Sequence, residues 1–179
     1  MSQSPIPAVS VLTPTIPGRE RLLLECEKSV QAQTLKDYEH LIELDADREG
    51  CSVVMNRLAE AAKGQWLLPL ADDDLVLPGC LETLLAAWDG EAQVIYAPPL
   101  VTGNEDRWWF FQEPPAIPSF ALVDGVLWDE LGGYDESLKR EEDRDLWIKA
   151  LEAGASFQRV DEPTWIYRQH ASNKSFAAV

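Results

Sequence analysis

The sequence predicts an α/β fold with a mostly parallel central sheet, and the order of its apolar segments is the main reason. Three short apolar runs, each followed by a segment of helical periodicity, fill the first half of the chain, and a fourth run closes the series. Strands that alternate with helices of about 10–15 residues form crossover units, which build parallel sheets. A chain of 179 residues has the length of one domain. We therefore expect a single domain over 1–179, with flexible ends at 1–7 and 172–179.

Each element is predicted from a local pattern. The β-branched run 8–13 is a strand that ends where Pro14, Pro17 and Gly18 favour a loop. Residues 19–33 follow with helical spacing. The other predicted strands are 38–45, 65–70, 92–97, 107–111, 156–160 and 164–168, and the other predicted helices are 51–63, about 79–88 and 141–153.

The composition excludes several function classes. Fifteen Lys and Arg face 31 Asp and Glu, so the net charge is −16. A nucleic-acid binder needs a basic stripe, and none is visible, so we expect no nucleic-acid partner. An anionic ligand would be repelled by this charge unless local cations intervened. A phosphate-ester ligand would therefore require a bound divalent metal.

The cysteines and the apolar segments predict a cytoplasmic protein. The spacing of Cys26, Cys51 and Cys80 fits neither a zinc site nor a redox pair, and buried, reduced thiols are the simplest interpretation. The first residues lack the basic start and long apolar run of a signal peptide. No segment approaches the ~18 apolar residues of a transmembrane helix.

Polar clusters follow the first three predicted strands. They are TPT at 13–15, DAD at 45–47 and ADDD at 71–74. The carboxyl ends of parallel strands meet at one edge of a sheet, where ligands of such folds bind. The sequence therefore predicts a binding site at this edge.

The run Asp72, Asp73 and Asp74 is the first candidate metal site. Hard oxygen ligands at a sheet edge suit Mg²⁺ or Mn²⁺, which commonly bridge the phosphates of a substrate. The alternative is a solvated acidic turn in which one Asp caps the next helix. The acidity of the whole chain favours the metal.

Asp143 is the candidate general base. On the predicted helix 141–153 it shares a face with Trp147, Ala150 and Leu151. Burial beside an aromatic ring would raise the pKa of its carboxyl toward the range of a useful base. Alternatively, Asp143 and Glu142 are first-turn acids that the helix dipole favours.

The two histidines and the acids at 45–47 allow two interpretations each. His170 follows a predicted edge strand and is a ligand or a surface residue, whereas His40 lies inside a strand and is expected to pack. Asp45 and Asp47 could accept hydrogen bonds from a base or ribose, or could be turn residues. Neither a dinucleotide fingerprint nor a P-loop is present.

Four stretches together resemble the family 2 glycosyltransferases of the GT-A fold. The first carries the polar ends of strands one and two, the second leads into the acidic run, the third holds a Gly-Gly-aromatic-Asp-Glu segment with a later Glu-Asp pair, and the fourth has a Tyr-Arg-x-His ending. They span about residues 9–175 and read VSVLTPTIPGRERLLLECEKSVQAQTLKDYEHLIELDAD, NRLAEAAKGQWLLPLADDDLVLPGCLE, GGYDESLKREEDRDLWIKALEAG and YRQHASNKS.

The resemblance implies a Rossmann-like GT-A domain, with a mixed, mostly parallel sheet and helices on both faces. It also implies a metal site in a DxD motif. Asp72 and Asp74 would be the outer acids and Asp73 would lie between them, holding Mn²⁺ or Mg²⁺ on the diphosphate of a nucleotide sugar. A second register makes Asp73 the main ligand. His170 would approach the metal or the diphosphate.

The remaining implied roles concern the nucleotide and the chemistry. The nucleotide would contact the polar strand ends, and Asp143 would be the catalytic base with Glu142 as its partner in the motif. The residues implied in nucleotide binding are Thr13, Pro14, Thr15, Asp45, Asp47, Asp72 and Asp73.

The predicted function is therefore a metal-dependent, inverting sugar transfer from a nucleotide-diphosphate sugar to an acceptor hydroxyl. The acceptor could be a glycan, a lipid-linked molecule, a protein or a small molecule. Two alternatives stay open, namely a metal-dependent nucleotidyltransferase and a non-catalytic nucleotide- or sugar-binding relative. The aromatic run Trp108–Phe111 could be core, acceptor groove or a homo-oligomer interface.

Overall fold

The computed structural model describes residues 7–103, 117–170 and Asn173. Within these ranges strands and helices alternate through the first half, as the apolar pattern predicts, apart from one added two-residue strand. In chain order the elements are β1 (Val9–Thr15), α1 (Glu20–Gln31), β2 (Tyr38–Leu44), α2 (Cys51–Ala61), β3 (Trp66–Pro69), β4 (Leu75–Val76), α3 (Cys80–Ala86), β5 (Val94–Tyr96), β6 (Pro99–Thr102), β7 (Ala121–Asp124), α4 (Gly125–Leu131), α5 (Glu142–Glu152), β8 (Phe157–Arg159) and β9 (Trp165–Arg168).

The central sheet has the strand order β2-β1-β3-β7-β5-β8. β1 is parallel to both β2 and β3, and β5 is parallel to β8. β7 runs antiparallel to its neighbours β3 and β5, so it is the single reversed strand of this sheet. The prediction of a mixed, mostly parallel sheet is confirmed.

The position of β7 differs from the simple repeat that the sequence pattern favours. The fourth predicted strand, β5, pairs with β7 instead of extending the sheet from β3. β7 has four residues, and its apolar residues Ala121, Leu122 and Val123 are completely buried. A strand buried on both faces shows no alternation of apolar and polar residues, and this one is too short to be recognised by length.

Helices cover both faces of the sheet, as predicted. One face packs against α1 and α3, chiefly through Cys26, Val30, Cys80, Leu81 and Leu84. The opposite face packs against α2, α4 and α5, chiefly through Val54, Leu58, Leu127, Trp128, Leu146 and Trp147. The two apolar clusters thus form a core on each side of the sheet.

A small second sheet, β4-β9-β6, brings the end of the described chain back to the acidic run. β4 begins directly after Asp74 and pairs antiparallel with β9, with Leu75 opposite Ile166. Trp165 of β9 is buried, its ring stacks on Phe120 at 4.9 Å, and its indole N–H donates to a backbone carbonyl. This anchored strand carries Arg168 and His170 toward the acids.

Some predictions fall on other parts of the chain. The predicted strand 107–111, with its aromatic run Trp108–Phe111, lies outside the described residues, as do 1–6, 172 and 174–179 of the predicted ends. Among the helices that the structure describes, none combines the length and the apolar character needed to cross a membrane.

Candidate active site

The polar ends of the first three strands meet at one edge of the sheet. Thr15, the last residue of β1, donates its hydroxyl hydrogen bond to Asp72 Oδ2 over 2.6 Å. Its backbone carbonyl accepts from the N–H of Asp45, which follows β2, at 2.8 Å. The predicted grouping of the three clusters therefore exists, because parallel strands end on the same side.

Asp72 and Asp73 converge on one positive charge. Arg19 Nη1 lies 2.6 Å from Asp72 Oδ1 and 3.1 Å from Asp73 Oδ2. Both aspartates are buried, and burying carboxylates is costly unless a cation compensates them. Burial alone would lower the pKa of Arg19, but the hydrogen bond to Asp72 and the charges of both acids outweigh it and raise that pKa.

Arg19 was not among the predicted site residues; its only sequence signal is its place in the loop that follows β1.

His170 lies at the acids, although it is far away in sequence. Its Nε2 is 3.1 Å from Asp73 Oδ2, across 97 positions of the chain. The amide of Asn173 reaches the same carboxylate oxygen at 3.3 Å. Asp73 is thus the acid on which groups from both ends of the domain meet, and Asn173 is a site residue that the sequence reasoning missed.

Asp74 is engaged differently from its two neighbours. It is 4% exposed, and its Oδ1 accepts from the backbone N–H of Arg168 at 3.0 Å. Burial, with a further contribution from the charge of Asp73, raises the pKa of the Asp74 carboxyl well above its ordinary range. This carboxyl ties β9 to the acidic turn.

Asp72 and Asp73 are the residues that could hold a divalent cation, with the other ligands supplied by a bound molecule and water. Within the described residues, no group of three or more His, Cys, Asp or Glu side chains forms a ready-made metal site. However, Asp72 Oδ1 and Asp73 Oδ2 already meet at one cationic nitrogen. Two carboxylate oxygens supplemented by phosphate oxygens and water are a ligand set that suits Mg²⁺.

The predicted nucleotide-binding residues divide into exposed and internal ones. Asp45 is buried, and its two oxygens accept from the N–H groups of Glu49 and Gly50 at 2.8 and 2.9 Å, so it shapes the loop after β2. Asp47 is exposed in that loop. Thr13 is completely buried, and its hydroxyl contacts His40 Nε2 at 2.9 Å. The side chain of Thr13 therefore does not reach the surface.

The predicted apolar face of the acidic helix is correct at Trp147 and Ala150, which are buried, and wrong at Leu151, which is exposed. In α5 the buried residues include Glu142, Leu146 and Trp147, whereas Leu151 is 46% exposed and Asp143 is half-buried. The indole N–H of Trp147 donates to the carbonyl of Pro118 at 3.2 Å, and this contact is made by a distant segment. Glu142 lies on the covered side, and Asp143 lies beside it.

The start of α5 lies near the start of α2, around Tyr134. The hydroxyl of Tyr134 is buried, and its pKa is raised well above the ordinary value by that burial and then by the nearby charges of Asp143 and Cys51. Cys51 opens α2, directly after the loop that Asp45 shapes. Tyr134 therefore links the start of α2 to the start of α5.

Asn56 holds the segment that leads into α5. Its Oδ1 accepts from the N–H of Tyr134 and its Nδ2 donates to the carbonyl of the same residue, both at 2.9 Å. Gly133 adopts φ +67°, and a Cβ there would lie 2.5 Å from Asn56 Oδ1. Only glycine fits this left-handed position against the amide.

The fold is that of the GT-A class. The structure described as S. aureus TarS 1–349 in complex with UDP-GlcNAc is similar with a TM-score of 0.76 and 15% identity, over 96% of this chain and 61% of that chain. A longer TarS structure gives a TM-score of 0.74 and 17% identity, over 90% of this chain and 36% of that one. At these identities the likeness concerns the fold.

The chain belongs to glycosyl transferase family 2, whose family model matches residues 35–149. It is similar to the uncharacterized glycosyltransferase MJ1057 of Methanocaldococcus jannaschii, with 25% identity over 90% of this chain and 71% of the relative. The uncharacterized glycosyltransferase RT0329 of Rickettsia typhi is 23% identical over 84% of this chain and 61% of its own length. The predicted family and fold class are confirmed.

Proposed function

We propose that this domain transfers a sugar from a nucleotide-diphosphate sugar to an acceptor hydroxyl. The reaction depends on Mg²⁺ or Mn²⁺ and inverts the configuration of the anomeric carbon. The observation that carries the proposal is the convergence of Asp72, Asp73 and His170 at the carboxyl edge of the sheet. Membership of glycosyl transferase family 2 supports the reaction class. Structures of TarS described as complexes with UDP and with UDP-GlcNAc share the fold, which supports a nucleotide-sugar donor.

Electrostatics explain why such a donor needs a cation here. The chain carries a net charge of −16, and its acids cluster at the proposed site. A diphosphate would be repelled by this field unless positive charge lay between. In our assignment Asp72 and Asp73 hold the metal, which when bound neutralises charge on the diphosphate leaving group. The close approach of Asp73 to His170 favours the register in which Asp73 is the main ligand.

The nucleoside is assigned to the strand ends beside these acids. Pro14 is half-buried and Asp47 is exposed, so both can face a ligand. Thr15 and Asp45 are buried at the same edge and shape the floor under it. Thr13 is left out of the contact surface because its hydroxyl is used in the core.

The chemical step assigned to Asp143 is proton removal. The acceptor oxygen attacks the anomeric carbon while the bond from that carbon to the diphosphate oxygen breaks, and the leaving diphosphate takes the bonding electrons. The proton of the acceptor hydroxyl passes to the Asp143 carboxylate. A single displacement from the opposite face inverts the anomeric centre. Glu142 lies on the covered face next to Asp143 and is assigned a supporting role in holding the turn.

The test is a donor panel followed by one conservative variant. The wild type is incubated with Mn²⁺ and UDP-, GDP-, TDP- and CDP-sugars, and release of the nucleoside diphosphate is measured. With the donor found, we expect Asp143→Asn to lower the rate by about 10²–10⁴-fold, the usual contribution of a general base. Metal-dependent binding of the nucleotide should stay close to that of the wild type.

Asp145→Asn is the matched control. Asp145 lies two residues further along α5 and pairs with Lys149 at 2.7 Å, so its loss should leave transfer nearly unchanged. Full activity of Asp143→Asn would show that Asp143 is only a first-turn acid. Nucleotide binding without turnover of any donor would favour a non-catalytic binding relative.

A further inference from the structure

Arg19 is a positive charge supplied by the chain itself to the two carboxylates assigned to the metal. One nitrogen, Nη1, faces both Asp72 Oδ1 at 2.6 Å and Asp73 Oδ2 at 3.1 Å. A cation bound by these two oxygens would meet the guanidinium there. Two positive charges a few ångströms apart repel each other strongly in a partly buried site, so both cannot stay in place at little cost.

Arg168, the second arginine of the site, contacts the acidic turn through its backbone as well as its side chain. Its backbone N–H donates to Asp74, its guanidinium donates to the backbone carbonyl of Asp73, and the same group pairs with Glu25 at 2.5 Å. It also belongs to β9, which pairs with β4. Moving Arg168 would break the hydrogen bonds that hold β9 against Asp73 and Asp74 of the acidic turn.

Arg19 contacts the acids with its side chain, from a loop and not from a strand. It precedes α1 in the loop after β1, next to Gly18 with φ +92°, and its side chain is 21% exposed. Its contacts to Asp72 and Asp73 use the end of a long, flexible side chain. A rotation of the side chain that releases the two acids leaves the backbone hydrogen bonds of Arg19 with Ile16 and Leu23 in place.

We propose that Arg19 is a tethered counter-ion that gives way to the divalent cation when that cation binds. The proposal rests on the metal-dependent function assigned above. Without metal, Arg19 compensates the buried charges of Asp72 and Asp73 and keeps the turn folded. With metal bound, the guanidinium leaves the acids, and its charge becomes available to the diphosphate, an anion that arginine can bind through two parallel hydrogen bonds.

The test is calorimetric titration with Mn²⁺ alone, without nucleotide or sugar. Arg19→Gln removes the competing charge, so we expect its Mn²⁺ affinity to exceed that of the wild type by about tenfold. Arg19→Lys keeps a charge but is a compact ammonium that cannot reproduce the guanidinium contacts, so its affinity should lie between the two. Arg21→Gln is the control, because Arg21 is 91% exposed and pairs only on the surface with Glu25 among the contacts described; it should bind Mn²⁺ like the wild type.

Thermal unfolding gives a second measurement. Metal-free Arg19→Gln should melt below the wild type, because Asp72 and Asp73 lose their counter-ion. Mn²⁺ should raise its melting temperature more than that of the wild type, by mass action on the tighter site.

Two outcomes separate this proposal from the proposed function. If the wild type binds Mn²⁺ with a nucleoside diphosphate, but Arg19→Gln binds Mn²⁺ no more tightly than the wild type, the exchange is overturned and the proposed function stands. Tighter Mn²⁺ binding by Arg19→Gln, without metal-dependent nucleotide binding by any of the proteins, would support the exchange and contradict the proposed function.

Discussion

The side-chain amide of Asn56 closes a two-hydrogen-bond ring with the backbone of Tyr134, although 78 positions separate the two residues. The ring joins α2 to the segment before α5. Tyr134 is buried, and the charge of Asp143 contributes to its raised pKa, so the ring lies close to the start of α5. One amide thereby connects the core of the domain to the proposed base.

Asn56→Ala should destabilise the fold. The substitution leaves the N–H and the carbonyl of Tyr134 without their partner in a buried environment, which typically costs about 1–3 kcal/mol. Urea unfolding at neutral pH measures the loss. Glu136→Ala is the control, because Glu136 accepts from the same amide at 3.1 Å but on the exposed side. If the two variants lose equal stability, the ring with Tyr134 is not the important contact.

Asp73→Asn and Asp74→Asn should separate ligand binding from structure. Asp73→Asn should weaken Mn²⁺-dependent binding of a nucleoside diphosphate by at least about tenfold, since it removes a charge that faces His170 and Arg19. Asp74→Asn should keep most of that affinity, because its amide oxygen can still accept from the N–H of Arg168. It should also keep or raise the melting temperature, because burial disfavours the Asp74 charge. Calorimetry and thermal unfolding on both variants decide, and equal losses of affinity would contradict the distinction.

His40 should make stability fall as the pH drops. Burial lowers the pKa of His40 to about 4, from an ordinary value of 6.5. Between these pH values the unfolded chain binds the proton and the folded chain does not. The contribution of neutral His40 to the free energy of unfolding is therefore complete above pH 6.5 and is lost as the pH falls toward 4. The maximal loss is about 3 kcal/mol. Denaturant unfolding from pH 7 to pH 4.5 should show a shallower decline for His40→Gln than for the wild type, and equal slopes would show that His40 contributes nothing.

The cysteines should differ in reactivity. Burial raises the pKa of the Cys26 and Cys80 thiols to about 12, whereas Cys51 is only half-buried at the start of α2. Because the thiolate is the reactive form, iodoacetamide at pH 8 should label Cys51 first. Mass spectrometry should find one adduct in the native protein and three after unfolding. Early labelling of Cys26 or Cys80 would mean that the core opens near α1 or α3.

The sequence by itself determined the part of the site that depends on strand ends. Thr15 ends an apolar strand, and Asp45 and Asp72 each follow one. Parallel strands place their carboxyl ends at one edge, so local patterns were sufficient to group these residues. The same reasoning predicted the alternation of β1, β2 and β3 with α1 and α2, because each of these elements carries its own period of apolar residues.

Only the tertiary structure decided which partners the acids receive. Arg19 reaches Asp72 across 53 positions and His170 reaches Asp73 across 97, and no local pattern encodes such contacts. The rotation of α5, which buries Glu142 and exposes Leu151, depends on what packs against Trp147. Periodicity shows that a helix has an apolar side. Long-range packing decides in which direction that side points, to within part of a turn. Charge compensation across the fold decides which counter-ion a buried acid receives.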